Sequence, residues 1–133
     1  MRGREGFTLV EVMIVAGIIG LLAAVAIPNL IAMKKTANEA AAKANIRTLS
    51  TSAETLMTAH GHYPDNLDDF KDYLSSVDNF CADLDGSAEK AVQGYNYLCA
   101  SNVTGYTFVA TPIEMNRTGS ITYTATTGGI LVP

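Results

Sequence analysis

The chain has 133 residues, room for one small domain, and with 48% hydrophobic and 17% charged residues it is apolar for a soluble protein of this length. Its net charge of -4 offers no electrostatic attraction to nucleic acid. No P-loop, dinucleotide fingerprint, nucleophile elbow or Ser–His–acid spacing marks it as an enzyme, and nothing in it implies a cofactor.

The basic start, Met1-Arg2-Gly3-Arg4-Glu5-Gly6, runs straight into Phe7-Thr8-Leu9-Val10-Glu11-Val12. An ordinary secretory signal has a small-residue cleavage site after its apolar stretch. Here Ala24 and Ala26 come nearest to one, but Pro28 and further apolar residues follow. Val12 to Met33 is 22 residues without a charge. As a helix it measures roughly 33 Å, against a hydrocarbon core of about 30 Å. Composition alone reads this stretch as an uncleaved membrane anchor. Glu11 is what an anchor leaves unexplained. A carboxylate in a membrane helix costs about 2.5–3.5 kcal/mol near the bilayer centre and less towards the interface. No Lys or Arg lies one turn away. Glu11 therefore snorkels to water, or it meets a cation from another molecule or an amine made by processing. Arg2 and Arg4 at one end and Lys34 and Lys35 at the other leave the orientation a near tie by charge.

The segment Gly6-Phe7-Thr8-Leu9-Val10-Glu11, followed by a long apolar run, resembles the prepilin peptidase site of type IV pilins and of the pseudopilins of type II secretion. The resemblance extends more loosely through the next helix to the Gly61, Tyr63 and Pro64 turn, and to the C-terminal half only in outline. It implies a leader at residues 1–6, a membrane and filament-core helix at 7–33, and a globular head at 34–133. Cleavage would fall between Gly6 and Phe7, Phe7 would be N-methylated, and Glu11 would meet the terminal amine of a neighbouring copy. Pro28 would correspond to the family's helix proline. The implied partners are further copies of the chain, the prepilin peptidase, the inner membrane and the pilus assembly machinery. The implied product is an extracellular type IV pilus serving adhesion, motility or DNA uptake. The alternative is a major pseudopilin building a periplasmic piston; a third reading is a monomeric, membrane-anchored binding domain. Pseudopilins of this kind usually lack a disulfide and hold Ca²⁺ in their C-terminal loops. Cys81, Cys99 and the carboxylate-free stretch from Asn116 to Pro133 favour the pilus.

Within the apolar run, Pro28 removes a helix hydrogen bond and clashes with the preceding turn, at about 3 kcal/mol, which predicts a kink or local melting. Gly17 and Gly20 weaken the helix further, and Ala16, Gly20 and Ala24 form a small-residue stripe that lets helices approach. Thr36 to Ala59 has no Gly or Pro, and Ile46, Leu49, Ala53 and Leu56 share one helical face. Glu39 and Lys43 are spaced to pair on another face. Gly61 and Pro64 end the pattern, predicting one helix of about 50 residues.

Beyond it, Asp65 is placed to cap a short helix over 66–74. His60-Gly61-His62 reads as solvated, with no metal assigned. Asp65 to Glu89 holds eight acidic residues and reads as a solvated surface. Asp83-Leu84-Asp85-Gly86 resembles part of a calcium loop, but Cys81 and Val92 stand where its first and last ligands belong. Cys81 and Cys99 are either two buried thiols or, outside the cytoplasm, a disulfide. Asn102 and Asn116 fit the glycan-acceptor pattern, which arises by chance. Tyr95–Leu98, Tyr106–Thr111, Ser120–Ala125 and Ile130–Val132 read as strands, with Glu114–Gly119 and Thr126–Gly129 between them. The expected class is α+β: a long N-terminal helix, apolar then amphipathic, packed on an antiparallel sheet of three or four strands.

Overall fold

A computed structural model describes residues 6–133; Arg2, Arg4 and Glu5 of the expected leader lie outside the described residues. Helix α1 spans Leu9–His60 and continues on both sides of Pro28. The chain divides into two compact units, one up to Met33 and one from Lys34 onward.

The first unit is the apolar part of α1. It has no core of its own. Its large side chains are open along the whole stretch, from Leu9 at 76% exposed through Leu22 at 64% to Met33 at 69%. An 18-residue window of α1 has a mean hydropathy of 2.6, enough by length and composition to cross a membrane.

The second unit is the head. Ala42, Ile46, Leu49, Ala53 and Leu56 recur at spacings of three and four, so they share one stripe of α1, and all are buried. The stripe packs against a five-stranded sheet ordered β1 to β5 without crossovers: Asp85–Val92, Tyr95–Asn102, Gly105–Pro112, Tyr123–Thr126 and Ile130–Val132. Every neighbouring pair is antiparallel. Side chains alternate across a strand. Tyr95, Tyr97 and Cys99 of β2, Tyr106, Phe108 and Ala110 of β3, and Tyr123 and Ala125 of β4 therefore face one way and join the core. Full burial of one such side chain stabilises the fold by roughly 1.5–3 kcal/mol.

The hairpin turns follow from their residues. Val92 pairs with Tyr95, leaving a two-residue loop of Gln93 (φ 50°) and Gly94 (φ 82°). Two successive positive φ values match the twist of the flanking strands, and Gly supplies the second without strain. A Cβ at Gly94 would also lie 2.6 Å from Asn38 Nδ2 and 3.0 Å from Thr118 Cβ. At the β2–β3 turn, Asn102 Oδ1 accepts the Thr104 and Gly105 N–H groups at 2.9 and 3.2 Å.

Helix α2 spans Leu67–Tyr73 and a 3-10 turn spans Val77–Asn79. The cap of α2 is Asn66, not Asp65: Asn66 Oδ1 accepts the Asp69 N–H at 2.8 Å. Cys81 and Cys99 form a disulfide joining the segment after the 3-10 turn to β2, with both residues buried.

Two other expectations give way. Glu39 does not pair with Lys43; its Oε1 accepts the Ser120 N–H at 2.8 Å and the Ser120 hydroxyl at 2.7 Å. Asn38 donates to the Thr118 carbonyl at 3.0 Å, so the β3–β4 loop is tied to α1 at two successive residues. The sheet has five strands rather than three or four, because the acidic stretch supplies β1.

Candidate assembly site

The N-terminal residues form a local device. Thr8 precedes the first residue of α1, and Glu11 lies in the first turn. The Thr8 N–H and the Thr8 hydroxyl both donate to Glu11 Oε2, at 2.8 and 2.7 Å. The Glu11 N–H donates to Thr8 Oγ1 at 3.3 Å. This is a capping box, in which side chains at the cap and three residues on satisfy each other's orphan N–H groups. A carboxylate there also meets the positive end of the helix dipole.

The box revises the reading of Glu11. The sequence showed no Lys or Arg one turn away, and Thr8 supplies two uncharged donors to one oxygen. Thr8 was the missed residue; the signal was present, since Thr8-Leu9-Val10-Glu11 is a Thr-x-x-Glu pattern ahead of an apolar run. Among the described residues, the other oxygen, Oε1, has no hydrogen-bond partner and Glu11 has no ion-pair partner.

The surroundings keep the site open. Phe7 is 88% exposed and precedes the helix, as does Gly6. Further along, a Cβ at Gly17 or Gly20 would meet nothing within 4 Å, so the gaps these glycines leave are unfilled within the chain.

The remaining candidates are in the head. His60 Nε2 is 2.8 Å from the Tyr73 hydroxyl, and His62 Nδ1 is 2.9 Å from the Tyr63 carbonyl oxygen. Among the described residues, no three His, Cys, Asp or Glu side chains are grouped to hold a metal ion. Asp85 is held below the usual carboxylate range by hydrogen bonds from Ser87, whose N–H donates at 2.7 Å. Ser87 Oγ also donates to Asp83 Oδ2 at 3.1 Å. The fragment that resembled a calcium loop is thus the irregular start of β1, where the pairing register shifts between Asp85 and Glu89.

A capped apolar helix and a helix-on-meander head are pilin-like in architecture. Residues 1–27 match the prokaryotic N-terminal methylation motif. The chain is 43% identical over 61 residues to the type IV major pilin protein PilA of Myxococcus xanthus, covering 46% of this chain and 28% of that one. It is 38% identical over 61 residues to the type II secretion system core protein G of Escherichia coli, covering 46% and 42%. It is 38% identical over 68 residues to the competence protein ComGC of Halalkalibacterium halodurans, covering 51% and 67%. The chain belongs to the family of type IV pilins and type II secretion pseudopilins, although the match spans less than half of the first two of these relatives.

Proposed function

We propose that the chain is the precursor of a structural subunit of a type IV pilus. A peptidase cuts it between Gly6 and Phe7, Phe7 is methylated, and the mature subunit passes from the inner membrane into an extracellular filament. The observation that carries this reading is the state of Glu11. One carboxylate oxygen is held by Thr8 while the other has no partner among the described residues, at the start of an apolar helix with no core of its own. Cleavage creates an amine four residues before Glu11, and a second copy brings that amine to it. The unfilled positions at Gly17 and Gly20 support close packing of neighbouring helices. A bend at Pro28 belongs to the same proposal, since a proline leaves the helix one hydrogen bond short.

A periplasmic pseudopilus is the second reading, favoured by the likeness to core protein G. The buried Cys81–Cys99 disulfide and the carboxylate-free stretch from Asn116 onward support the pilus over it. Mass analysis of the N-terminus in material sheared from cells separates the two. Methylated Phe7 in sheared filaments is the expected result; the same terminus found only in the cell envelope indicates the pseudopilus. An intact Met1 start in membrane-extracted, unassembled protein overturns both and leaves an anchored binding domain. Glu11→Ala is expected to insert in the membrane at the wild-type level and to lower filament yield by about tenfold or more, given a charge pair formed away from water. Normal yield from that variant removes the mechanism.

A further inference from the structure

The exposed charges on the head's part of α1 and on α2 are segregated by sign, and most of them have no ion-pair partner among the described residues. On α1, Lys43 and Arg47 stand exposed one turn apart, outside the buried stripe. Among the described residues neither makes an ion pair. Between and around them runs a shallow groove of about 590 Å³, with Ala40, Ala44, Thr48 and Thr51 among its lining. These side chains are small, so a second surface can come close to the helix there. From Lys34 to Arg47 the cations outnumber acids by three, and the one acid, Glu39, is already held by Ser120.

The opposite charge lies on α2 and the segment after it. Asp68 and Asp72 are exposed, also one turn apart, with Asp65 and Asp69 beside them. From Asp65 to Lys90, eight carboxylates face only Lys71 and Lys90. Both lysines are occupied locally. Lys71 bridges Asp68 at 3.4 Å and Asp78 at 3.2 Å, and Lys90 donates to the Asp78 carbonyl. The Asp68 side chain is 94% exposed even so, and Asp72 has no ion-pair partner among the described residues.

Four residues of α-helix rise about 6 Å, so the Lys43–Arg47 and Asp68–Asp72 spacings match. We infer that the exposed Lys43–Arg47 face of α1 docks on the Asp68–Asp72 face of α2 in a second copy of this chain. The inference rests on the proposed polymer and supplies one of its contacts. The two patches are different surfaces of one chain. An interface between unlike patches does not close on itself unless its rotation closes a ring, so it propagates an open polymer. Exposed charges act over about 8 Å at physiological salt, so these pairs set the register of copies already in contact.

The test is a zero-length carbodiimide, which joins ammonium to carboxylate, applied to cells carrying the full chain. The expected product is a dimer band in which Lys43 is joined to Asp68 or Asp72. Lys43→Glu with Arg47→Glu, which takes the amine from position 43 and reverses the patch, is expected to lower the yield of cross-linked dimer by about tenfold, at an unchanged membrane level of the cut chain. Adding Asp68→Lys and Asp72→Lys to the reversed chain is expected to restore it, which also shows that the reversed head folds. Dimers without this link, a yield unmoved by reversal, or a swap that fails to restore overturns the inference. Filaments that persist without the link sink this contact and leave the pilus standing. The link without sheared filaments sinks the pilus and leaves the contact.

Discussion

Glu54 shows how one polar side chain organises the head. It sits on α1 among buried neighbours, and its Oε1 accepts the Tyr106 hydroxyl at 2.9 Å and the Gly128 N–H at 2.7 Å. Tyr63 donates to its Oε2 at 3.2 Å, and Ser50 shares a 2.8 Å hydrogen bond with Tyr106. A half-buried carboxylate is tolerated because several donors replace the water it loses. The same burial acts on the tyrosines. Burial, with the charge of Glu54 adding to it, pushes the Tyr106 hydroxyl up to about 12. Burial and the charge of Glu39 do the same for Tyr95. Both values lie above the unfolded value near 10, so these groups favour the folded state fully below about pH 10. Their contribution is lost as pH rises from about 10 to 12, where the unfolded chain has released protons that the folded chain retains. Alkaline unfolding followed by circular dichroism should show stability falling by about 1.4 kcal/mol per pH unit for each such proton. A flat profile across that window would contradict the burial of these rings.

At the scale of elements, the Cys81–Cys99 bond closes a loop with a sequence separation of 18 residues. Cross-linking a loop of this size stabilises by about 3 kcal/mol in the chain-entropy model. Cys81→Ser with Cys99→Ser should therefore lower the melting temperature of the head by well over 5 °C, at about 4–8 °C per kcal/mol, as scanning calorimetry would show. Unchanged melting would mean the loop is ordered without the bond. Most elements were legible before any coordinates. The α1 stripe was visible because four aliphatic side chains repeat at helical spacing, and β2, β3 and β5 because they are rich in aromatic or β-branched residues. β1 was not legible: Asp85-Gly86-Ser87-Ala88-Glu89-Lys90-Ala91-Val92 has one β-branched residue, at its end. Pairing with β2 makes it a strand, and such tertiary pairing overrides weak propensity. The strand expected from Ser120 begins at Tyr123 instead, because the Ser120 N–H is committed to Glu39, 81 positions away in sequence. No local pattern announces that contact. At the N-terminus the Glu11 signal was plain, and the Thr8 half of it went unread although its spacing was in view.

At the scale of the whole molecule, all the fully buried side chains among the described residues come from the unit that starts at Lys34. That unit contains the sheet, the disulfide and the stripe of α1 that covers the sheet. A chain begun at Lys34 should accordingly be soluble and monomeric, with the disulfide formed and the sheet intact, as amide hydrogen exchange and gel filtration would report. Aggregation of that fragment would show that the head borrows stability from the first unit. The first unit has a different economy of contacts. Val12 to Met33 offers side chains with no core to enter, so something apolar has to surround them in every setting. Lipid tails and the side chains of sister helices are about equally apolar, and moving between them releases little hydrophobic free energy. For a subunit that polymerises out of a bilayer, travel in either direction is then nearly level in that respect. On the proposed reading, close packing at Gly17 and Gly20 and the pairing of Glu11 with a neighbour's amine are what would tip that level balance towards the filament.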